Sequence, residues 1–289
     1  MAEILYGRTA GQCEYLFGDT VTALRDTGEG VHVEFRNAPA RVFDLVVGCD
    51  GIHSRVRKLA FGPEADFVTH DSYYYAIAGA SAWQDMPEGN RQRARSLGCN
   101  APGRFAMTGG NKAAQMYLFA SPALDYSRDD FDQQRAIIAE RFAGMGWEVP
   151  RMLAELPYLD DFYLDAIAKV RMKNFTSGRV ALLGDSAWGH ALNGFGTGSA
   201  IVGAYVLAGE LAAADGDYTV AYASYEEIMK RLLRKTDEAA PGRFLAPRTA
   251  RGLRFRRFVR SRGFKMMAKY AENTKNDIDL KHYPEPAAN

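Results

Sequence analysis

The sequence predicts an α/β chain in which a sheet-and-helix domain is interrupted by a mostly β-sheet insert and closed by C-terminal helices. Three observations carry this reading. Two short apolar runs, "DLVVG" and "RVALLG", each end in glycine followed closely by an acid, the pattern of buried strands that feed a turn and then a helix. Between them, from about Val68 to Met172, runs such as "SYYYAIAGASAW" and "QMYLFASP" are aromatic and β-prone. After the second run, small residues and then large apolar ones recur at helical spacing.

Taken in order, "AEILY" reads as the tail of a helix, since no N-terminal cap signal precedes it. "VHVEF" alternates apolar and polar residues between the turns "GEG" and "RNAPA", as a half-buried strand does. "FDLVVG" is continuously apolar, the pattern of a strand buried on both faces, and "HSRVRKLAFG" returns to helix. In the insert, "DDFDQQRAIIAERFAGMG" is an amphipathic helix capped by Asp129 or Asp130, with Ile137, Ile138 and Phe142 inward. Gly198 to Ala213 is helical with small residues at Ala200, Gly203, Ala204 and Ala208, and Tyr218 to Ala239 is a second helix. The expected organisation is therefore residues 1–67 and 173–240 in one domain, 68–172 as the insert, and 241–289 as a basic helical segment and tail.

The 289 residues, 47% hydrophobic, suffice for a sizeable core, and a formal net charge of +1 gives no global bias toward nucleic acid or membrane. No run approaches the ~18 apolar residues of a membrane span. Three cysteines (Cys13, Cys49, Cys99) without a C-x-x-C pair imply no disulfide framework, so a reducing, cytoplasmic setting is expected. Arg243 to Lys269 holds ten Arg or Lys and no acid. That segment suits an anionic surface, or a helix whose apolar stripe packs while its arginines are solvated; the second is preferred, because acids elsewhere nearly balance the charge.

The chemistry concentrates at the two strand ends. Asp185, after Gly184, sits where α/β sheets bind ligands and where a carboxylate can accept hydrogen bonds from a polyol. Gly194, Gly196 and Gly198, with Phe195 and Thr197 between them, allow close approach of a flat ligand to a helix start that offers unpaired N–H groups and a positive dipole end. A polyol joined to a planar ring describes a flavin; the same turn would equally serve only to connect strand to helix. In the first run, Asp50 and Gly51 form a turn, Ser54 can cap the following helix, and Arg55 and Arg57 bring positive charge, which suits a pyrophosphate or ribose but also suits a plain Asp-Gly turn.

Together, "DLVVGCDGIHSRVR" and, after the insert, "GRVALLGDSAWGHALNGFGTGSAIVGAYVLAGEL" resemble the flavin-dependent aromatic hydroxylases, the class of para-hydroxybenzoate hydroxylase and the tetracycline-inactivating monooxygenases. The resemblance runs over nearly the whole chain. It implies an incomplete FAD-binding Rossmann-like domain, with Asp185 on the FAD ribityl chain, Gly194 to Gly198 facing the flavin ring, and Asp50–Gly51 near the pyrophosphate and linked to NAD(P)H use. It implies a monooxygenase that places one atom of O2 on an aromatic or polyketide-like small molecule, with much of the pocket supplied by the insert and no covalent catalytic side chain required. The catalytic residues stay unassigned. The alternative is a non-catalytic remnant or small-molecule-binding member of the fold that does not retain FAD.

The chain departs from that family in two ways. Trp188 stands where the family usually has His or Tyr, and no proline precedes the glycines. No G-x-G-x-x-G hexad occurs, so the chain is expected to begin after the unit that carries it, leaving an apolar sheet edge through which it would self-associate. No cluster has metal-ligand spacing, so no metal is expected. His190 reads as a loop residue near ligand or merely solvated, and Asp161 and Asp165 as orienting groups or an acidic turn. Trp83, Trp147 and Tyr73–Tyr74–Tyr75 line a pocket or fill the core, and Cys99 lacks a partner base.

Overall fold

The computed structural model describes residues 2–81, 96–110, 113–192, 196–234, 241–256 and 280–284. The chain opens with α1 (Ala2–Thr9), which buries none of its residues. β1 (Val21–Asp26), β2 (Val31–Phe35) and β3 (Arg41–Phe43) then form an antiparallel sheet. The alternation in "VHVEF" places Val31 and Val33 in the core. β4 (Val46–Gly48) leads into α2 (Arg55–Ala60).

β5 (Val68–Ala78), β6 (Leu97–Ala101), β7 (Arg104–Thr108), β8 (Gln115–Ala120) and β9 (Phe162–Val170) make a five-stranded antiparallel sheet in the order β6-β7-β8-β5-β9. α3 (Phe131–Phe142) and α4 (Val149–Glu155) join that sheet in a core built on Tyr117, Phe119, Ile138, Phe142 and Met152. Asp130, rather than Asp129, caps α3 by accepting from the Gln133 N–H at 2.9 Å.

The chain then returns to the first domain through β10 (Thr176–Ser177) and β11 (Val180–Leu182), followed by the single-turn α5 (Asp185–Trp188), α6 (Gly196–Ala213), α7 (Tyr218–Leu233) and α8 (Pro241–Leu245). β11 pairs in parallel with β4, in register Val180↔Val46 to Leu182↔Gly48, and antiparallel with β10. The sheets of this α/β fold are thus mostly antiparallel, and the two motif-bearing strands supply the parallel pair.

Several expectations need correction. "FDLVVG" is not buried on both faces: β4 is three residues long, lies at the sheet edge, and leaves Val47 40% exposed. β11, by contrast, is wholly buried. The helix expected from Gly198 starts at Gly196, and the one expected to reach Ala239 is described to Leu233. Although no run of apolar residues alone approaches a membrane span, α6 is long and apolar enough to cross a membrane by length and composition. In the fold it packs on α7 and carries the buried Glu210. The basic segment is not simply solvated: Arg248 donates to the Ser72 carbonyl at 3.0 Å, and Arg256 to Asn100 Oδ1 and the Leu245 carbonyl. Tyr73 and Tyr74 are core, and Trp147 is exposed. Trp83 lies outside the described residues.

Candidate functional site

The two strand ends are stitched together. The Gly48 carbonyl accepts from the Leu183 N–H at 2.9 Å and from Ser186 Oγ at 2.6 Å. Arg57 completes the seam. Its guanidinium, fully buried, donates to the Ser186 carbonyl at 2.8 Å and to the Ile52 carbonyl at 2.6 Å, with Glu64 3.8 Å away. The sequence suggested a cation facing a phosphate. The structure spends Arg57 internally, as the clip between the two turns.

Asp50 is likewise engaged. Its carboxylate accepts from Ser54 Oγ at 2.5 Å, the Arg55 N–H at 2.7 Å and the Val56 N–H at 3.0 Å. Ser54 in turn accepts from the Arg57 N–H, so both residues cap α2. Gly51 follows with φ +81°. This loop is rigidly held, with Asp50 at its exposed rim.

Asp185 differs in kind. Among the described residues, no donor reaches its carboxylate. One side is open to solvent, while the packed turn behind it desolvates the carboxyl and holds its pKa above the ordinary aspartate value. Gly184 makes the turn possible: its φ of +69° is the left-handed region, and a Cβ there would stand 3.1 Å from Ala200 on α6. Gly196, the first residue of α6, faces the carboxylate, and a Cβ there would stand 3.3 Å from Asp185 Oδ1. An unsatisfied acceptor at a helix start kept clear by glycine is what a polyol joined to a planar, electron-poor ring requires. These residues fit a flavin. Thr197 and Gly198 lie exposed in the first turn of α6; Gly194 and Phe195 lie outside the described residues.

A second network joins the Asp50 loop to β9. Asp165 is buried at 4% exposure on that strand. It accepts from Tyr163 Oη at 2.6 Å and the Ala166 N–H at 2.7 Å, and it lies 2.9 Å from His53 Nε2. His53 Nδ1 faces Glu64 at 3.1 Å and Arg128 Nη2 at 2.8 Å. Tyr163 packs beside Tyr75 with ring centroids 5.9 Å apart. The Tyr75 phenol is pushed up to about 12, by burial first and then by Asp165, with a further contribution from Asp185. The sequence reading offered Asp165 as an orienting group or an acidic turn and did not single out His53. Their pairing spans 112 positions, a separation no local pattern reveals. Asp161 stays outside the network. His190 is half-buried in a bridge to Lys169, not a solvated loop residue.

The network makes stability depend on pH. Burial opposes the charge on both partners, but the contact wins: Asp165 ends below its ordinary pKa through hydrogen bonds from His53 and Tyr163, and His53 above its own through Asp165. The Asp165 contribution is present above about pH 4 and lost as pH falls through its lowered value. The His53 contribution is present below about pH 6.5 and lost as pH rises through its raised value. Thermal midpoints followed from pH 5 to 9 should fall across that upper window in the parent protein, and His53→Gln should flatten the fall. Parallel profiles for the two would remove His53 from this role.

Comparison with known proteins agrees with the geometry. The family model "FAD binding domain" matches residues 4–217. The chain is 37% identical over 232 residues to Uncharacterized protein Rv1260 of Mycobacterium tuberculosis, covering 78% of this chain and 60% of that one. It is 29% identical over 235 residues to a flavin-dependent monooxygenase of Legionella longbeachae, covering 80% and 59%. It therefore spans about 60% of the length of these curated relatives. Among solved structures, tetracycline destructase Tet(51) superposes with a TM-score of 0.76 at 25% identity, over 92% of this chain and 70% of that one. Klebsiella pneumoniae HpxO, complexed with FAD and uric acid, shares the fold at 20% identity, with a TM-score of 0.65 over 94% and 70%. With the family model covering most of its length, the chain belongs to the FAD binding domain family.

Proposed function

We propose that this chain forms the ribityl and ring half of a flavin site, in a monooxygenase that uses NAD(P)H and O2 to place one oxygen atom on an aromatic or polyketide-like small molecule. The observation that carries the reading is the Asp185 carboxylate, unpartnered among the described residues and facing Gly196 across space where a Cβ would intrude. The relatives named flavin-dependent monooxygenase and the likeness to a tetracycline destructase support the same chemistry. When bound, FAD supplies the redox chemistry: reduction by NAD(P)H and transfer of oxygen from O2.

The residues do the rest. Asp185 accepts from ribityl hydroxyls, and the first N–H groups of α6, at Gly196, Thr197 and Gly198, stabilise negative charge on the ring. The Asp50–Gly51 loop, fixed by its own hydrogen bonds and by Arg57, sets the distance between the two turns. Tyr75 and Tyr163 remain protonated through the neutral pH range; Tyr75 feels the charge of Asp185, and Tyr163 donates to Asp165. An FAD-loaded preparation offered NADPH or NADH and a panel of phenols and polyketides should show substrate-dependent nucleotide oxidation and 18O from 18O2 in the product. Saturable flavin binding without electron uptake from either nucleotide would favour the non-catalytic alternative.

Gly196→Val separates a flavin site from a plain turn. Its branched side chain fills the space beside Asp185 at an overpacking cost of about 1–3 kcal/mol to the bound state, about one to two decades in flavin affinity. The fold itself should gain or stay level, since glycine is about 1 kcal/mol less favourable than alanine in a helix. Unchanged flavin affinity with a lowered melting temperature would favour the plain turn.

A further inference from the structure

A cleft of about 740 Å3 opens beside the α5 turn, between the end of β9 and the second half of α7. Its apolar wall is Met172, Phe175, Trp188 and Leu233. The Trp188 indole N–H is committed to Ser199 Oγ at 3.1 Å, and the ring packs edge-on against Phe175 with centroids 5.3 Å apart. Its polar wall is cationic: Lys169, Arg171, Lys173, Lys230 and Arg234 line it, and Glu227 is the one carboxylate among the described lining residues. Lys230 is compensated by Glu226 and bonded to Asn174 Oδ1 at 3.0 Å. Asp71, outside the cleft, offsets part of the field at Lys169 and His190.

His190, also in the lining, has both ring nitrogens buried without a hydrogen-bond partner. Burial and then Lys169 hold its pKa below the ordinary histidine value, with Arg171 adding to the effect. Crowded cations beside an aromatic wall are matched by one kind of ligand: an anion carried on a ring.

We propose that this cleft is a binding site, distinct from the Asp185 turn, for an aromatic anion: a ring-bearing carboxylate, sulfonate or phosphate. The ring lies against Trp188 and Phe175. The anionic group takes the field of Arg171 and Arg234. The site uses no residue assigned to the flavin, so it stands or falls separately from the proposed activity.

The probe is 8-anilinonaphthalene-1-sulfonate, with N-phenyl-1-naphthylamine as the same ring system without the charge. The sulfonate should bind saturably, weaken with added salt, and lose about three- to fivefold in affinity with Arg171→Gln or Arg234→Gln, the worth of a solvent-screened ion pair. The neutral ring should be insensitive to both substitutions and to salt. Trp188→Phe should cut energy transfer from tryptophan to the bound sulfonate. Asp185→Ala, which disables the flavin turn, and Arg36→Gln, at an exposed position elsewhere, should leave sulfonate binding unchanged. Circular dichroism of each variant keeps loss of fold separate from loss of site. Sulfonate affinity unmoved by Arg171→Gln and Arg234→Gln in folded variants, or equal binding of the neutral ring, overturns the proposal.

Discussion

Arg57→Ala is expected to cost the fold about 3–5 kcal/mol, the usual loss when one partner of a buried charged network is removed. The guanidinium is fully buried and joins two turns 129 positions apart in the sequence. Deleting it strips the charge-assisted donors from the Ser186 and Ile52 carbonyls and leaves a cavity beneath α2. Against a total domain stability of about 5–15 kcal/mol, that brings the chain close to unfolding. Arg57→Met keeps most of the volume and removes a buried charge, so it should lose clearly less, about 1–2 kcal/mol, from the two carbonyls left without donors. Urea denaturation followed by circular dichroism gives both numbers. A loss under about 1 kcal/mol for Arg57→Ala would mean that the seam between the turns is held by the backbone and Ser186 alone.

The contrast between Arg57 and Asp185 shows what a sequence can disclose. Both motif turns were legible, because a strand that ends in glycine and acid is a local pattern, and so were the inward Val31 and Val33 and the capped α3. What the neighbouring acids and bases do was not legible. Asp50 and Asp185 occupy equivalent-looking positions after their strands, yet one carboxylate is saturated by the helix it caps and the other meets no donor among the described residues. The difference lies in the length of the turn, which brings Asp50 back onto the α2 N–H groups while Gly184 swings Asp185 outward. Arg57 read only as positive charge that would suit a pyrophosphate or a plain turn, because charge is visible in a sequence and burial against a distant carbonyl is not. Asp165 read as an orienting group or an acidic turn, without its partner, because His53 lies 112 positions away. Val47 read as buried because periodicity reports hydrophobicity, not whether another strand covers the edge.

The most direct test of the account is a flavin titration of the chain and of Asp185→Ala, run with both FAD and riboflavin and followed by flavin fluorescence. Asp185 is assigned to the ribityl chain, which the two ligands share, and a charge-assisted hydrogen bond is worth about 1.5–3 kcal/mol. The account predicts that Asp185→Ala weakens both ligands by the same factor, about one to two decades, with the melting temperature unchanged because no donor among the described residues depends on that carboxylate. Equal affinities for parent and variant, or a loss confined to FAD, would contradict it.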